Sequence, residues 1–255
     1  MGSPNWISLE DLVKHESYRE DDGNLFTMII MGLKSFDPKK NAEIHPANIM
    51  ILQDANKYLK VESCGYVESL DNVKFILFFI LDKGTHPYPY CSIKKLSATN
   101  FFQTTAVDLL EKIEKKYYKA VENIEAHPLF WDNKKRLDYL ADVSNFNHNN
   151  RISEFKKSLT EKEWTKELPQ KIQEKYNDNP NTINAMLRGL RNCCQHYHDS
   201  NIREYFKKYP DDHIYFWTSK FPKLLIYVYN VVLNYYDIDK NDESLLGYYI
   251  TNKRF

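Results

Sequence analysis

An excess of charge of either sign is missing from this sequence: Lys plus Arg and Asp plus Glu number 35 each, so the formal net charge is zero. That argues against a histone-like protein that holds nucleic acid by bulk charge, while a local basic site stays open. Cysteine is sparse, and its four positions, Cys64, Cys91, Cys193 and Cys194, contain no CxxC pair. Neither a zinc module nor a disulfide framework follows, and a reducing compartment is expected. Long hydrophobic runs are missing too. The longest strongly apolar stretch, Phe75 to Leu81, falls far short of the ~18–20 residues that a membrane span needs. Met1-Gly2-Ser3-Pro4 is polar and shows no signal-peptide pattern, so the expectation is a cytoplasmic protein without a membrane partner. Glycine is scarce at 7 residues, against 19 Tyr and 14 Phe, which are enough to fill a core. At roughly 100–200 residues per domain the chain is one large domain or two smaller ones.

Strand signals are few. Met50 to Leu52 and Tyr58 to Val61 flank Gln53-Asp54-Ala55-Asn56 and read as a short hairpin. Nearly everything else has helical spacing. Ser8 caps a helix that starts at Leu9; Leu25 to Leu33 and Val73 to Leu81 read as buried helices. Ala106 to Ile124 gives a long amphipathic pattern with Val107, Leu110, Ile113 and Tyr117 on one face. The polar segments Asn145 to Arg151 and Asn177-Asp178-Asn179-Pro180-Asn181 read as linkers, and the composition shifts near His127-Pro128.

One helix carries chemistry. Thr182 caps it, and Ile183, Met186, Leu187, Leu190 and Cys194 form its apolar stripe. Arg188, Arg191, Asn192, Gln195 and His196 lie opposite, with Asn192 and His196 four apart and therefore on one face. A fixed cation, an amide and an imidazole suit phosphodiester chemistry. The imidazole transfers protons near neutral pH, and the guanidinium holds phosphate oxygens as charge builds up. Spacing alone is equally satisfied by a solvated helix face.

The segment Arg191-Asn192-Cys193-Cys194-Gln195-His196-Tyr197 resembles the Arg-Asn-x-x-x-His-Tyr signature of the KEN ribonuclease domain shared by RNase L and the Ire-type kinases. His127-Pro128-Leu129-Phe130-Trp131, Arg136-Leu137 and Asp142-Val143-Ser144 are similar to the passage from kinase lobe to ribonuclease domain in that family. Phe216 to Leu225 is similar to its Phe-Pro helix. The resemblance implies a metal-independent endoribonuclease in which the RNA 2′-hydroxyl attacks its own phosphate and leaves a cyclic phosphate. It implies His196 as the catalytic histidine, Arg191 and Asn192 as the phosphate-contacting pair, and an upstream tyrosine as a second acid/base group. At the matching spacing stands Asp178; the nearest tyrosine is Tyr176. Ala185 replaces an aspartate usual inside the helix, a change compatible with lost activity. Trp164 and Arg188 are carried over as RNA contacts, with a packing role for Trp164 as the alternative. The Asn133-Lys134-Lys135-Arg136 cluster is a further candidate RNA contact.

The first part of the chain resembles a protein-kinase C-terminal lobe stripped of its active site. Ser8 to Val13 is similar to the helix after the kinase hinge, and Pro46-Ala47-Asn48-Ile49 to the end of the catalytic loop. Asn41-Ala42-Glu43 stands for His-Arg-Asp, and Ser63-Cys64-Gly65 for Asp-Phe-Gly. Phosphoryl transfer needs that aspartate for its metal and a lysine for the nucleotide, so no ATP binding and no kinase activity is expected. The expected architecture is mainly α: a degenerate kinase C-lobe over residues 1–126 and an all-α KEN-type ribonuclease domain over 127–255. The implied partners are RNA and a second copy of the chain in a homodimer, with no cofactor and no metal. The alternative is a catalytically inactive regulator that pairs with an active relative.

Overall fold

The structure is a computed structural model that describes residues 5–14, 49–54, 57–63, 70–81, 99–118, 121–147, 151–159, 163–174, 176, 180–238 and 245–249. The expected helix at Leu25–Leu33, the kinase-like positions Asn41 to Asn48 and Cys64-Gly65, and Asp178 lie outside these residues. The chain divides into two compact units, Met1–Glu125 and Ala126–Phe255.

The first unit opens on a three-stranded antiparallel sheet of order β1-β2-β3, made of β1 (Asn5–Ser8), β2 (Ile49–Asp54) and β3 (Lys57–Ser63). The expected hairpin is β2–β3, with Ile51 opposite Val61 and an irregularity between Leu52 and Gln53. Strand β1 was not expected. Only four residues long, it is too short for a period-2 signal, and pairing with β2 across a long sequence gap creates it. Ser8 ends the strand and caps α1 (Leu9–Lys14), its hydroxyl accepting from the Asp11 N–H at 3.0 Å. Helix α2 (Leu70–Leu81) buries Val73, Ile76, Leu77, Phe78, Phe79 and Ile80, an all-round burial that follows from its apolar run. It packs on α3 (Phe101–Glu114), which begins with a capping box between Asn100 and Gln103. The expected helix over Ala106–Ile124 is therefore shorter and starts earlier. It stops at Glu114, and Lys116 turns left-handed at φ 55°. Tyr117 consequently leaves the apolar face and is exposed.

The second unit is all helix, turn and loop among the described residues. A short turn over Pro128–Phe130 precedes α4 (Asn133–Phe146), and Arg136 fastens the two together. Its Nε donates to the Pro128 carbonyl, its Nη2 to the Leu129 carbonyl and its Nη1 to Asn133. Burial holds the guanidinium down at about 10. The Asn133–Arg136 cluster is thus not a free basic patch: Lys134 pairs with Asp138 and Lys135 lies over the Trp131 ring. Next come α5 (Gln170–Gln173), α6 (Ile183–Gln195), α7 (Ser200–Tyr205), α8 (Asp211–Lys220) and α9 (Leu224–Ile238). Helix α4 packs against α6 and α8, and α9 closes over α4. The C-terminal turn is held by aromatic contacts: Tyr249 stacks on Tyr229 at 4.9 Å, and its hydroxyl meets that of Tyr139 at 2.6 Å. No described helix is long and apolar enough to cross a membrane.

Candidate active site

Helix α6 is the site's frame. Thr182 caps it through its hydroxyl, which accepts from the Ala185 N–H at 3.2 Å. The buried face comprises Ile183, Ala185, Met186, Leu187, Gly189, Leu190 and Cys193. Cys193, not Cys194, therefore completes the stripe. Gly189, four residues before Cys193 on the same face, lets a large ring approach the helix backbone. A Cβ at this position would stand 2.6 Å from Cη2 of Trp164. Glycine in a helix interior costs roughly 0.5–1 kcal/mol relative to alanine, and close packing is what it permits here.

That ring corrects an expectation. Trp164 is 0% exposed, so it offers no face for a base to stack on. It sits beneath Gly189, 5.9 Å from the Tyr176 ring and 6.1 Å from the Trp217 ring. Its indole N–H donates to the Pro180 carbonyl, and its backbone N–H donates to the Asn181 side chain. Trp164 thereby ties down the loop that leads into α6. Arg188, by contrast, is exposed on the solvent side of α6.

The polar face brings Arg191 and Asn192 together, while the His196 imidazole meets Asp199 beyond the helix end. Nη2 of Arg191 donates to Oδ1 of Asn192 at 3.0 Å, and Nη1 donates to Oδ1 of Asn145 on α4 at 3.1 Å. Its Nε is buried without a hydrogen-bond partner. Tyr176 comes within reach: its hydroxyl is 4.0 Å from Sγ of Cys193. Burial pushes that hydroxyl well above the usual tyrosine range, with Cys193 adding to the rise, while the Asn192 side chain and the Arg191 charge pull the other way. Asn192 therefore stands between the guanidinium and the phenol. His196 is the C-cap of α6, its N–H donating to the Asn192 carbonyl at 2.9 Å. Its imidazole is 62% exposed, with Nδ1 3.5 Å from Oδ2 of Asp199. His198 is exposed in the turn beyond.

Two residues of this neighbourhood escaped the sequence reading. Asn145 looked like part of a linker but is the last turn of α4, and it braces Arg191 from 46 residues away. Nothing local signals such a pairing. Asn147 is equally structural, since its side chain accepts from the Ile152 N–H and donates to Asn184. The second residue is His213 on α8, fully buried behind the His196 turn. Its ring lies 4.0 Å from that of Phe206, and Nδ1 is 3.9 Å from Sγ of Cys194. Burial pushes the Cys194 thiol up to about 12, which leaves it protonated and unreactive at neutral pH.

Burial also lowers His213 from 6.5 to about 4, against an opposing pull from Asp212. The folded state therefore holds a neutral imidazole that the unfolded chain protonates first. This contribution to stability is whole above pH 6.5 and is lost as pH falls from 6.5 toward 4. The loss reaches up to about 3 kcal/mol. The expected result is that His213→Phe, which keeps the ring packing, flattens stability across that window. Urea denaturation of both proteins at neutral and mildly acidic pH measures it.

Among the described residues, no three His, Cys, Asp or Glu side chains gather in a metal-ligating group. Residues 136–249 match the family model described as Ribonuclease 2-5A. The chain is 28% identical over 192 residues to the serine/threonine-protein kinase/endoribonuclease IRE1 of Hypocrea jecorina, covering 62% of this chain and 15% of that protein. It is 29% identical over 205 residues to the sensor for unfolded proteins in the ER ire1 of Schizosaccharomyces pombe, covering 68% and 19%. It is also 26% identical over 186 residues to an inactive serine/threonine-protein kinase/endoribonuclease IRE1-like protein of Arabidopsis thaliana, covering 57% and 34%. The chain thus spans between about one seventh and one third of the length of these relatives.

Proposed function

We propose that the chain is an endoribonuclease that cuts unpaired RNA by internal transesterification, as the match of residues 136–249 to the Ribonuclease 2-5A family model supports. The RNA 2′-hydroxyl attacks the adjacent phosphorus and loses its proton, and the 5′-oxygen leaves with a proton. The products are a 2′,3′-cyclic phosphate and a 5′-hydroxyl. His196 and Tyr176 share the two proton transfers. Arg191 and Asn192 bind the non-bridging oxygens as charge accumulates in the phosphorane. The observation that carries this reading is the convergence of Tyr176, Asn192 and Arg191, with Arg191 braced by Asn145 and its buried Nε without a hydrogen-bond partner. Burial raises the Tyr176 hydroxyl, so it enters the reaction protonated, as a donor.

Each step is assigned to a side chain, so cleavage of a labelled RNA hairpin is expected to persist in EDTA and to leave cyclic-phosphate ends. Strict dependence on a divalent cation, or ends of another chemistry, would overturn the mechanism. A second reading, an inactive partner that pairs with an active relative through a dimer surface, draws on two observations. Ala185 stands where the family usually has a carboxylate, and one relative carries the name of an inactive protein. Complete absence of cleavage by a folded, dimeric chain favours that reading. The kinase-like origin of the first unit, its lack of nucleotide binding, and homodimer formation belong to the same proposal.

A further inference from the structure

Two short helices face each other, α5 just before Tyr176 and α7 just after His196. Lys171 of α5 and Glu204 of α7 form an ion pair at 2.9 Å. Together with Pro169, Gln170, Asn201 and Tyr205 they line a cleft of about 430 Å³, within the size range of small-ligand sites. Tyr205 is 50% exposed. Its ring is set edge-on against Phe206 at 4.9 Å and Phe216 at 6.0 Å, so it is held in place while much of its surface faces solvent. Asn201 lies one turn earlier on the same face of α7.

We propose that this cleft holds an unpaired nucleobase of the RNA, one or two nucleotides from the bond that is cut, stacked on Tyr205 with its edge met by the amides of Asn201 and Gln170. The inference rests on the ribonuclease reading above and adds a base-binding subsite to it. Placement is the first argument. The two walls are α5, just before Tyr176, and α7, just after His196, and the nine residues from His196 to Tyr205 span on the order of 14 Å as turn and helix. The turn after His196 is closed by the Asp199 N–H, which donates to the His196 carbonyl at 2.9 Å, and this keeps α7 close to the imidazole. A nucleotide one or two positions from the scissile phosphate has that reach. Charge is the second argument. Glu204 neutralises Lys171, so the cleft suits a neutral base better than a phosphate, while amides and a pre-set aromatic ring are the groups that bind unpaired bases.

The test uses the full chain and a 2′-O-methyl RNA oligonucleotide of unpaired mixed sequence, which lacks the attacking hydroxyl, with binding read by fluorescence anisotropy. Tyr205→Ala is expected to weaken binding by about 5- to 100-fold, the loss of one base–aromatic stack, whereas Tyr205→Phe keeps the affinity. On cleavable RNA, Tyr205→Ala raises KM and leaves kcat nearly unchanged. Asn201→Ala, an exposed substitution outside the Phe206 and Phe216 packing, gives a second weakening should Tyr205→Ala disturb folding. Wild-type protein that cleaves RNA while Tyr205→Ala and Asn201→Ala bind and cleave equally well overturns the subsite and leaves the ribonuclease reading intact. Wild-type protein that neither binds the oligonucleotide nor cleaves RNA overturns both.

Discussion

His196→Ala is expected to lower the rate of RNA cleavage by about 10²–10⁴-fold, the contribution of one positioned acid/base group. The fold should not notice. The imidazole is 62% exposed, and its side-chain neighbour is the exposed Asp199, so the stability change should stay within about 0.5 kcal/mol. Activity and thermal melting measured on one preparation separate these effects. His198→Ala serves as the control, because that imidazole is exposed two residues further along the turn; its rate should stay near that of the wild type. Full activity in His196→Ala, or an equal loss in His198→Ala, would remove His196 from the mechanism. A rate loss accompanied by a large fall in melting temperature would show that the residue had been holding the turn.

Trp164→Ala is expected to produce the opposite signature, a stability loss of about 3–5 kcal/mol from an emptied core position. The ring is completely buried, touches Gly189, and anchors both Pro180 and Asn181. For a unit of this size the melting temperature should fall by roughly 10–20 °C. Activity falls with it, since Tyr176 leans on the same ring. Were Trp164 an RNA contact, the variant would bind RNA less well at unchanged melting temperature; that outcome would contradict the packing seen here. Gly189→Ala offers a complementary measurement. Its added Cβ meets the indole at 2.6 Å, so it destabilises despite the better helix propensity of alanine. Combined with Trp164→Ala the clash disappears, and the double variant should be less unstable than the two losses added together.

The helical elements of the second unit were legible because their signals are local. Thr182 caps α6 as its hydroxyl chemistry predicts, and the spacing of Ile183, Met186, Leu187 and Leu190 places them on the buried face. The β2–β3 hairpin was readable from two apolar runs around a polar turn. Less legible were features that depend on distant partners. Strand β1 exists through pairing with β2, and α3 ends at Glu114 although its charge pattern continues. The Asn145–Arg151 segment read as a linker by composition, yet α4 runs through Asn145 and Phe146 and ends on Asn147. Polarity alone does not distinguish an exposed loop from side chains committed to internal hydrogen bonds.

At the candidate site, the sequence by itself set Asn192 and His196 four residues apart at the end of a capped helix, with Arg191 one side chain round from Asn192. It also supplied the motif order that pointed to a KEN-type ribonuclease. Only the tertiary structure decided which other residues join them. It set Tyr176 beside Asn192, braced Arg191 with Asn145, buried His213 behind the His196 turn, and placed Trp164 under Gly189 rather than at the surface. The physical reason is range. Helix periodicity and capping act over a few residues, whereas burial and long-range hydrogen bonds depend on which segments the folded core brings together, and one-dimensional spacing holds no record of that.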